Sequence, residues 1–185
     1  IDSNGANTTA AAAVLSVRKH LPLKNQAVTV LAATGSVGRR VVRLLAREGA
    51  TIRVASRQLA KARQVCDDVR GLIPDAKLDA YGTNDEAALR KSLDGSVAVV
   101  AAGAPGVELL TEGMRHSLKD LKVAIDLNAV PPVGIAGIQP HDKAADQNGQ
   151  VCYGAIGVGG LKMKLHKAAI RKLFVLFVSF VVHIL

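Results

Sequence analysis

One stretch constrains the fold more than any other: Val28 to Gly38, VTVLAATGSVG. An apolar run over 27–33 passes through a glycine-containing turn into residues 37–48, where Val41, Val42, Leu44 and Leu45 fall on or near one helical face. A strand that is apolar on both sides belongs in a parallel sheet covered on both faces. In a dinucleotide-binding fold this junction delivers the chain to a helix N-terminus, where free amides and the positive helix end face a pyrophosphate. Gly35 then lets the backbone approach the phosphates, and Gly38 lets the helix pack closely on the strand. The first glycine of G-x-G-x-x-G is Ala33 here, so the motif is imperfect although its context is right.

The remaining chain repeats the alternation. Residues 7–19 read as an Ala-rich helix with Asn7 or Thr8 as N-cap. Strands are predicted over 51–55, 77–81, 97–102 and 122–127 and near 151–153. Helices are predicted over 58–70, 84–93, 107–118 and 158–173, and a Pro/Gly-rich loop runs from Ala129 to Pro140. This order predicts an α/β fold of the Rossmann type, doubly wound, with a mainly parallel sheet and helices on both faces. Apolar residues make up 49% of the chain, with no Trp, two Tyr and three Phe, so Ala, Val, Leu and Gly must fill the core.

The second strand selects the cofactor. An NAD site usually ends this strand with Asp or Glu for the ribose 2′-hydroxyl. Here Ala55-Ser56-Arg57 stands there, with Lys61 one turn on. A hydroxyl and a guanidinium suit a 2′-phosphate, so NADP is favoured. The expected cofactor contacts are Thr34, Gly35, Ser36, Val37 and Gly38 at the turn, and Ser56, Arg57 and Lys61 at the second strand. Ala102, Gly103 and Gly106 follow the fourth strand, where the loop crosses near the nicotinamide ribose. Asn128, beyond strand 122–127, is placed to hold the nicotinamide carboxamide or the substrate, or to cap its own loop.

The formal charge of +9 comes with no basic run of five and no basic–aromatic interleaving. A phosphate-rich cofactor or acidic substrate explains it better than nucleic acid. Cys66 and Cys152 form no CxxC pair and have no His at ligand spacing, so no metal site is expected and a reducing, cytoplasmic setting is.

Five motifs occur together in order: DSNGANTTAAAA at 2–13, the turn at 33–38, Ala102 to Gly106, DLNAVPPVGIAGI at 126–138 and GAIGVGGLKMKLHKAA at 154–169. Over about residues 1–173 the chain resembles methylene-tetrahydromethanopterin dehydrogenase, the NADP-dependent one-carbon enzyme of methylotrophic bacteria. The resemblance implies oxidation of the methylene bridge to the methenyl form, with a hydride passing to NADP⁺. The product cation is stabilised by its own nitrogens, so no obligatory proton transfer is needed. It also implies an N-terminal domain before the DSNG segment, which is expected upstream of Ile1 and would close over the pterin. The expected partners are thus the pterin, that domain and further copies of the chain.

Within this resemblance Asp2, Ser3, Asn4, Asn7 and Thr8 lie at the substrate cleft or cap the first helix. Lys162 and Asn128 are candidates for positioning the reacting rings. Lys164, and secondarily His166, would touch the pterin. Residues 1–20 read as an inter-domain segment and 21–173 as the cofactor domain. The stretch 174–185, FVLFVSFVVHIL, departs from the charged tail of the family. It is shorter than the roughly 17–25 residues of a membrane span, so no membrane is expected. It reads as a frameshifted or artificial end, or as an element docked in a groove. The rival functions are an NADP-dependent methylene-tetrahydrofolate or shikimate-type dehydrogenase, and a non-catalytic NADP-binding module.

Overall fold

The computed structural model describes residues 5–184, with side chains as far as Val175. Thirteen elements follow in order: α1 Ala6–Arg18, β1 Ala27–Leu31, α2 Ser36–Arg47, β2 Thr51–Ser56, α3 Leu59–Arg70, β3 Lys77–Gly82, α4 Glu86–Leu93, β4 Ala98–Ala101, α5 Glu112–Ser117, β5 Val123–Asp126, β6 Lys143–Gln147, β7 Gln150–Tyr153 and α6 Ala155–Ile184. The sheet order is β3-β2-β1-β4-β5-β7-β6. Every neighbouring pair is parallel except β6 with β7. The fold is of the Rossmann type, with β7 in the sixth place of the 3-2-1-4-5-6 order and β6 added as an antiparallel edge.

Burial sets the layers. Val28, Val30, Ile52, Val54 and Val100 meet Ala13, Val17, Val41, Leu45 and Val65, so α1, α2 and α3 share one face. Leu161 and Leu165 of α6 join that face. Leu31, Val99, Ala101 and Ala124 meet Leu93, Leu110, Met114 and Ile135 on the other, under α4 and α5. The central strands β1, β4 and β5 are buried on both sides, as their apolar runs require.

Four details differ from expectation. The helix expected over 107–118 forms only from Glu112. Leu109 and Leu110 donate their amides to Gly134 O at 2.8 and 3.1 Å, and Leu110 bridges Ile135, which holds 107–111 extended. Thr111 then caps the helix by accepting from Met114 N at 3.3 Å. Strand β6 was not anticipated, because KAADQ is largely exposed and lacks an apolar alternation. The cap of α1 is Gly5, at φ 69°, rather than Asn7 or Thr8, and Thr8 Oγ1 donates back to Gly5 O at 3.0 Å. Finally, α6 starts at Ala155 and runs on as one helix to Ile184. Leu173, Phe174 and Val175 stand exposed on it, and the side chains of the rest of the 174–185 tail lie outside the described residues. Among the described residues no helix is long and apolar enough to cross a membrane.

Candidate functional site

Strands β1, β2, β3 and β4 end at one edge of the sheet, and the site grows from the turns that leave them. Ala33 N bonds Ala55 O at 3.0 Å, Thr83 N bonds Ser56 O at 3.0 Å, and Ala102 N bonds Leu31 O at 3.1 Å, extending the ladder into the loops. Ala32 leaves β1 at φ 52°. That left-handed conformation costs an alanine about 1–2 kcal/mol, and such strain gathers at functional sites.

Helix α2 begins at the N-cap Gly35, and no side chain caps it. Its first amide with a helical acceptor is Arg39 N, bonded to Gly35 O at 3.0 Å. Helix geometry therefore leaves the amides of Ser36, Val37 and Gly38 pointing out along the axis, at the positive end of the dipole. The two glycines differ in what demands them. A Cβ on Gly38 would lie 2.8 Å from Ala33 Cα and C, so strand packing itself requires glycine there. A Cβ on Gly35 would meet nothing nearer than Ala102 O at 3.9 Å, so the protein's own packing does not.

Beside this helix start lies a cleft lined by Ala32, Thr34, Ser56, Arg57, Gln58, Lys61, Thr83, Gly103, Ala104, Val107 and Leu109. Among the described residues its lining contains no carboxylate. Arg57 and Lys61 are exposed, and neither belongs to any ion pair between described residues. Ser56 is buried and its Oγ accepts from Gln58 N at 3.3 Å. A second recess shares Ala32, Arg57, Thr83, Val107 and Leu109 and deepens toward Leu31, Leu89 and Met114, with Asp85, Glu86 and Glu108 at its rim.

Of the residues expected at the cofactor, Thr34, Ser56, Arg57, Lys61 and Gly103 line this cleft together. Gly35, Ser36, Val37 and Gly38 form the helix start next to it, with Val37 also packed on the core. Ala102 carries the sheet ladder outward, and Gly106 takes a left-handed turn at φ 72° in the loop that closes the cleft. Asn128 is elsewhere, 5% exposed. Its Oδ1 accepts from Val130 N at 2.9 Å and its Nδ2 donates to Pro132 O at 3.1 Å, so both ends of the amide brace its own loop. Asp126 completes that brace. Its carboxylate accepts from Asn128 N and Ile135 N, each at 2.9 Å. Burial pushes the Asp126 carboxyl above its ordinary value, against those backbone donors.

Asp2, Ser3 and Asn4 lie outside the described residues. Asn7 Oδ1 accepts from Arg40 Nε at 2.6 Å. Lys162 is brought to the start of α1 rather than to the cleft: its Nζ lies 3.3 Å from where a Cβ on Gly5 would sit. Lys164 is exposed and His166 half-buried on the same helix. Among the described residues no group of three His, Cys, Asp or Glu could hold a metal. The cleft residues not anticipated are Ala32, Gln58, Thr83, Ala104, Val107 and Leu109. Thr83 was within reach, since it follows β3 at the same edge where Ser56 ends β2. Val107 and Leu109 were hidden by the helix expected there.

No family model matches the chain. Two curated proteins of Methylorubrum extorquens are related to it by sequence. Bifunctional protein MdtA is 42% identical over 176 residues, covering 94% of this chain and 61% of that protein. NAD(P)-dependent methylenetetrahydromethanopterin dehydrogenase is 30% identical over 181 residues, covering 93% and 61%. This chain thus spans 61% of the length of each relative. Solved structures carry the same fold. The transhydrogenase from Sinorhizobium meliloti aligns with a TM-score of 0.68 at 21% identity, over 85% of this chain and 48% of that one. Shikimate 5-dehydrogenase from Listeria monocytogenes aligns with a TM-score of 0.56 at 16% identity, over 85% and 54%.

Proposed function

We propose that this chain is the cofactor domain of an NADP-dependent dehydrogenase that takes a hydride from methylene-tetrahydromethanopterin. One observation carries the cofactor: the uncapped start of α2 stands beside Arg57 and Lys61, which have no ion pair among the described residues, in a cleft whose described lining has no carboxylate. The donor set suits the group. Amides of Ser36, Val37 and Gly38 match a diphosphate, and the space in front of Gly35 admits one. Arg57, with Ser56 and Lys61, matches a further phosphate on the adenosine ribose. Gly103 and the turn at Gly106 shape the wall on the nicotinamide side.

The substrate reading rests on the two sequence relatives, one of which is named for this pterin. When bound, the nicotinamide would supply the hydride acceptor. The chain's own task is alignment: it would fix the dinucleotide by its phosphates so that the ring meets the substrate in a set orientation. Among the described residues the cleft lining includes no His, Cys, Asp or Glu. That suits a reaction whose cationic product needs no proton transfer. The pterin side would be completed by a further domain of the kind the longer relatives have room for. Lys162 and the start of α1, joined at Gly5, would form this chain's part of that wall, together with Asp2, Ser3, Asn4, Thr8 and Lys164. Free, buried Cys66 and Cys152 agree with a cytoplasmic setting, and self-assembly of the chain belongs to the same reading.

The test is calorimetric titration with NADP⁺ and NAD⁺, repeated on Arg57→Ala. Loss of a charge-assisted phosphate contact should weaken NADP⁺ about ten- to hundredfold while NAD⁺ changes less than about twofold. Equal weakening of both would remove Arg57 from the phosphate. In the full-length protein, faster hydride transfer from methylene-tetrahydrofolate would sink the pterin assignment and leave the cofactor assignment standing.

A further inference from the structure

Asp126 ends β5 at the sheet edge where the cleft opens, yet it is 1% exposed and lines neither recess. Side chains alternate along a strand, so Asp126 shares the α4–α5 face with Ala124. A carboxylate buried there costs free energy unless donors meet it. Among the described residues it forms no ion pair, and its donors are backbone amides: Asn128 N at Oδ1 and Ile135 N at Oδ2. A Cβ on Gly134 would lie 2.7 Å from Asp126 Oδ1, so the backbone abuts the carboxylate at that residue too.

The segment held in this way carries one wall of the cleft. Gly134 O accepts from the amides of Leu109 and Leu110, and Ala136 N donates to Leu110 O at 2.9 Å. Pro131 O lies 3.8 Å from where a Cβ on Gly106 would sit. Leu109 turns this support inward, since its Cδ1 would be 2.8 Å from a Cβ on Gly103. Val107 and Leu109 line both recesses, as Arg57 does. Residues 107–109 belong to no helix or strand, and Leu110 joins only the isolated bridge to Ile135. The wall therefore has little regular structure of its own and takes its place from the 128–136 segment beneath it.

We infer that Asp126 is a positioning residue for the dinucleotide: it fixes Gly134 and Ile135, and through them the Val107–Leu109 wall against which a ligand held by Arg57 must fit. The inference rests on the cofactor reading above. Asp126 touches no ligand. It orders the wall in advance, so that binding does not have to meet that ordering cost. An apolar residue of similar size would leave the amides of Asn128 and Ile135 without their acceptor.

Calorimetric titration of the whole chain with NADP⁺ tests this, on wild type, Asp126→Asn, Leu109→Ala and the double variant. Asn keeps the size of Asp, but its single oxygen replaces a carboxylate that served two separate donors. Thermal melting establishes that each variant is folded at the titration temperature. Asp126→Asn should weaken NADP⁺ about tenfold, because the loosened wall must be ordered on binding. With Leu109→Ala already in place, the same substitution should add less than about twofold, since residues acting through one contact do not add. Wild-type affinity in folded Asp126→Asn overturns the inference. So do two losses that simply multiply, because a residue serving stability alone has no reason to depend on position 109. If Asp126→Asn does not fold, Gly134→Ala takes its place by pressing a methyl against the carboxylate. The same weakening and the same dependence on Leu109 are then expected, and unaltered affinity overturns the inference. A wild type that binds no NADP⁺ overturns the cofactor reading and this inference together, whereas the other failures leave that reading standing.

Discussion

Arg57 and Arg115 show two ways in which one chain treats a guanidinium. Arg115, in α5, is 0% exposed. Its Nη1 donates to Gln150 Oε1 and its Nη2 to Gln147 Oε1, both at 2.8 Å, and Gln150 Nε2 returns a bond to Arg115 O at 3.1 Å. It pins α5 to the β6–β7 hairpin. Arg57 sits at the opposite kind of place, exposed at the rim of the cleft with no ion pair among described residues. The fold partners both terminal nitrogens of buried Arg115 and leaves only its Nε without a hydrogen bond, since an unpaired buried charge costs several kcal/mol. An exposed cation is hydrated, costs little, and remains available to an anion from outside. Arg115 thus holds the architecture, while the exposed charge of Arg57 is not engaged in it.

The strongest way to break this division is to truncate both. Arg115→Ala strands the acceptors of half-buried Gln147 and buried Gln150 and opens a cavity, so it should cost about 3–5 kcal/mol in urea unfolding. Arg115→Met, which refills the volume, should cost less. Arg57→Ala should stay within about 0.5 kcal/mol of wild type. Comparable losses from Arg115→Ala and Arg57→Ala would erase the distinction.

Next in size is Gly38→Ala. The added methyl meets the Ala33 backbone at 2.8 Å, and backbone has no rotamer with which to yield. A loss of about 1–3 kcal/mol is expected in the same unfolding assay, as for overpacking of a core.

These residues also mark what was legible in the sequence. The β1–turn–α2 junction was readable because apolar run, glycine and amphipathic helix are all local signals. The mainly parallel sheet covered by helices followed from alternation, and Ser56, Arg57 and Lys61 were singled out by their place at the end of β2. The errors lie where partners distant in sequence decide. Residues 107–111 have helix-compatible composition, yet Gly134 and Ile135 draw them into an extended bridge. Strand β6 exists because β7 pairs with it, not because KAADQ favours a strand. Arg115 reads as one more helix cation until Gln147 and Gln150 fold over it. Asn128 was left between two roles, and the buried Asp126 beside it is what turns its amide inward.

A smaller effect sharpens the buried side of the comparison. Burial raises the Cys152 thiol from 9.0 to about 11, although Arg115 pulls the other way. Between those values the unfolded thiol loses its proton and the folded one keeps it. The folded state then binds more protons, so stability falls as pH rises from about 9 toward 11. Native protein should resist alkylation at Cys152 at pH 8. Cys152→Ala should remove about 1–2 kcal/mol of the decline measured up to pH 10.5. Equal alkylation in native and unfolded protein would show that the Arg115 region opens to solvent.

The smallest effect on stability sharpens the exposed side most. Gly35 has φ −72° and room for a methyl, with its nearest neighbour at 3.9 Å. Gly35→Ala should therefore fold within about 1 kcal/mol of wild type, the scale of N-cap preferences. If a diphosphate must come against this backbone, the same methyl stands in its path. NADP⁺ and NAD⁺ should then weaken together, by tenfold or more, since both share that group. Arg57→Ala should separate the two cofactors and Gly35→Ala should not. A Gly35→Ala protein that binds both normally would leave the cations without a diphosphate to flank, and the cleft would need a different ligand.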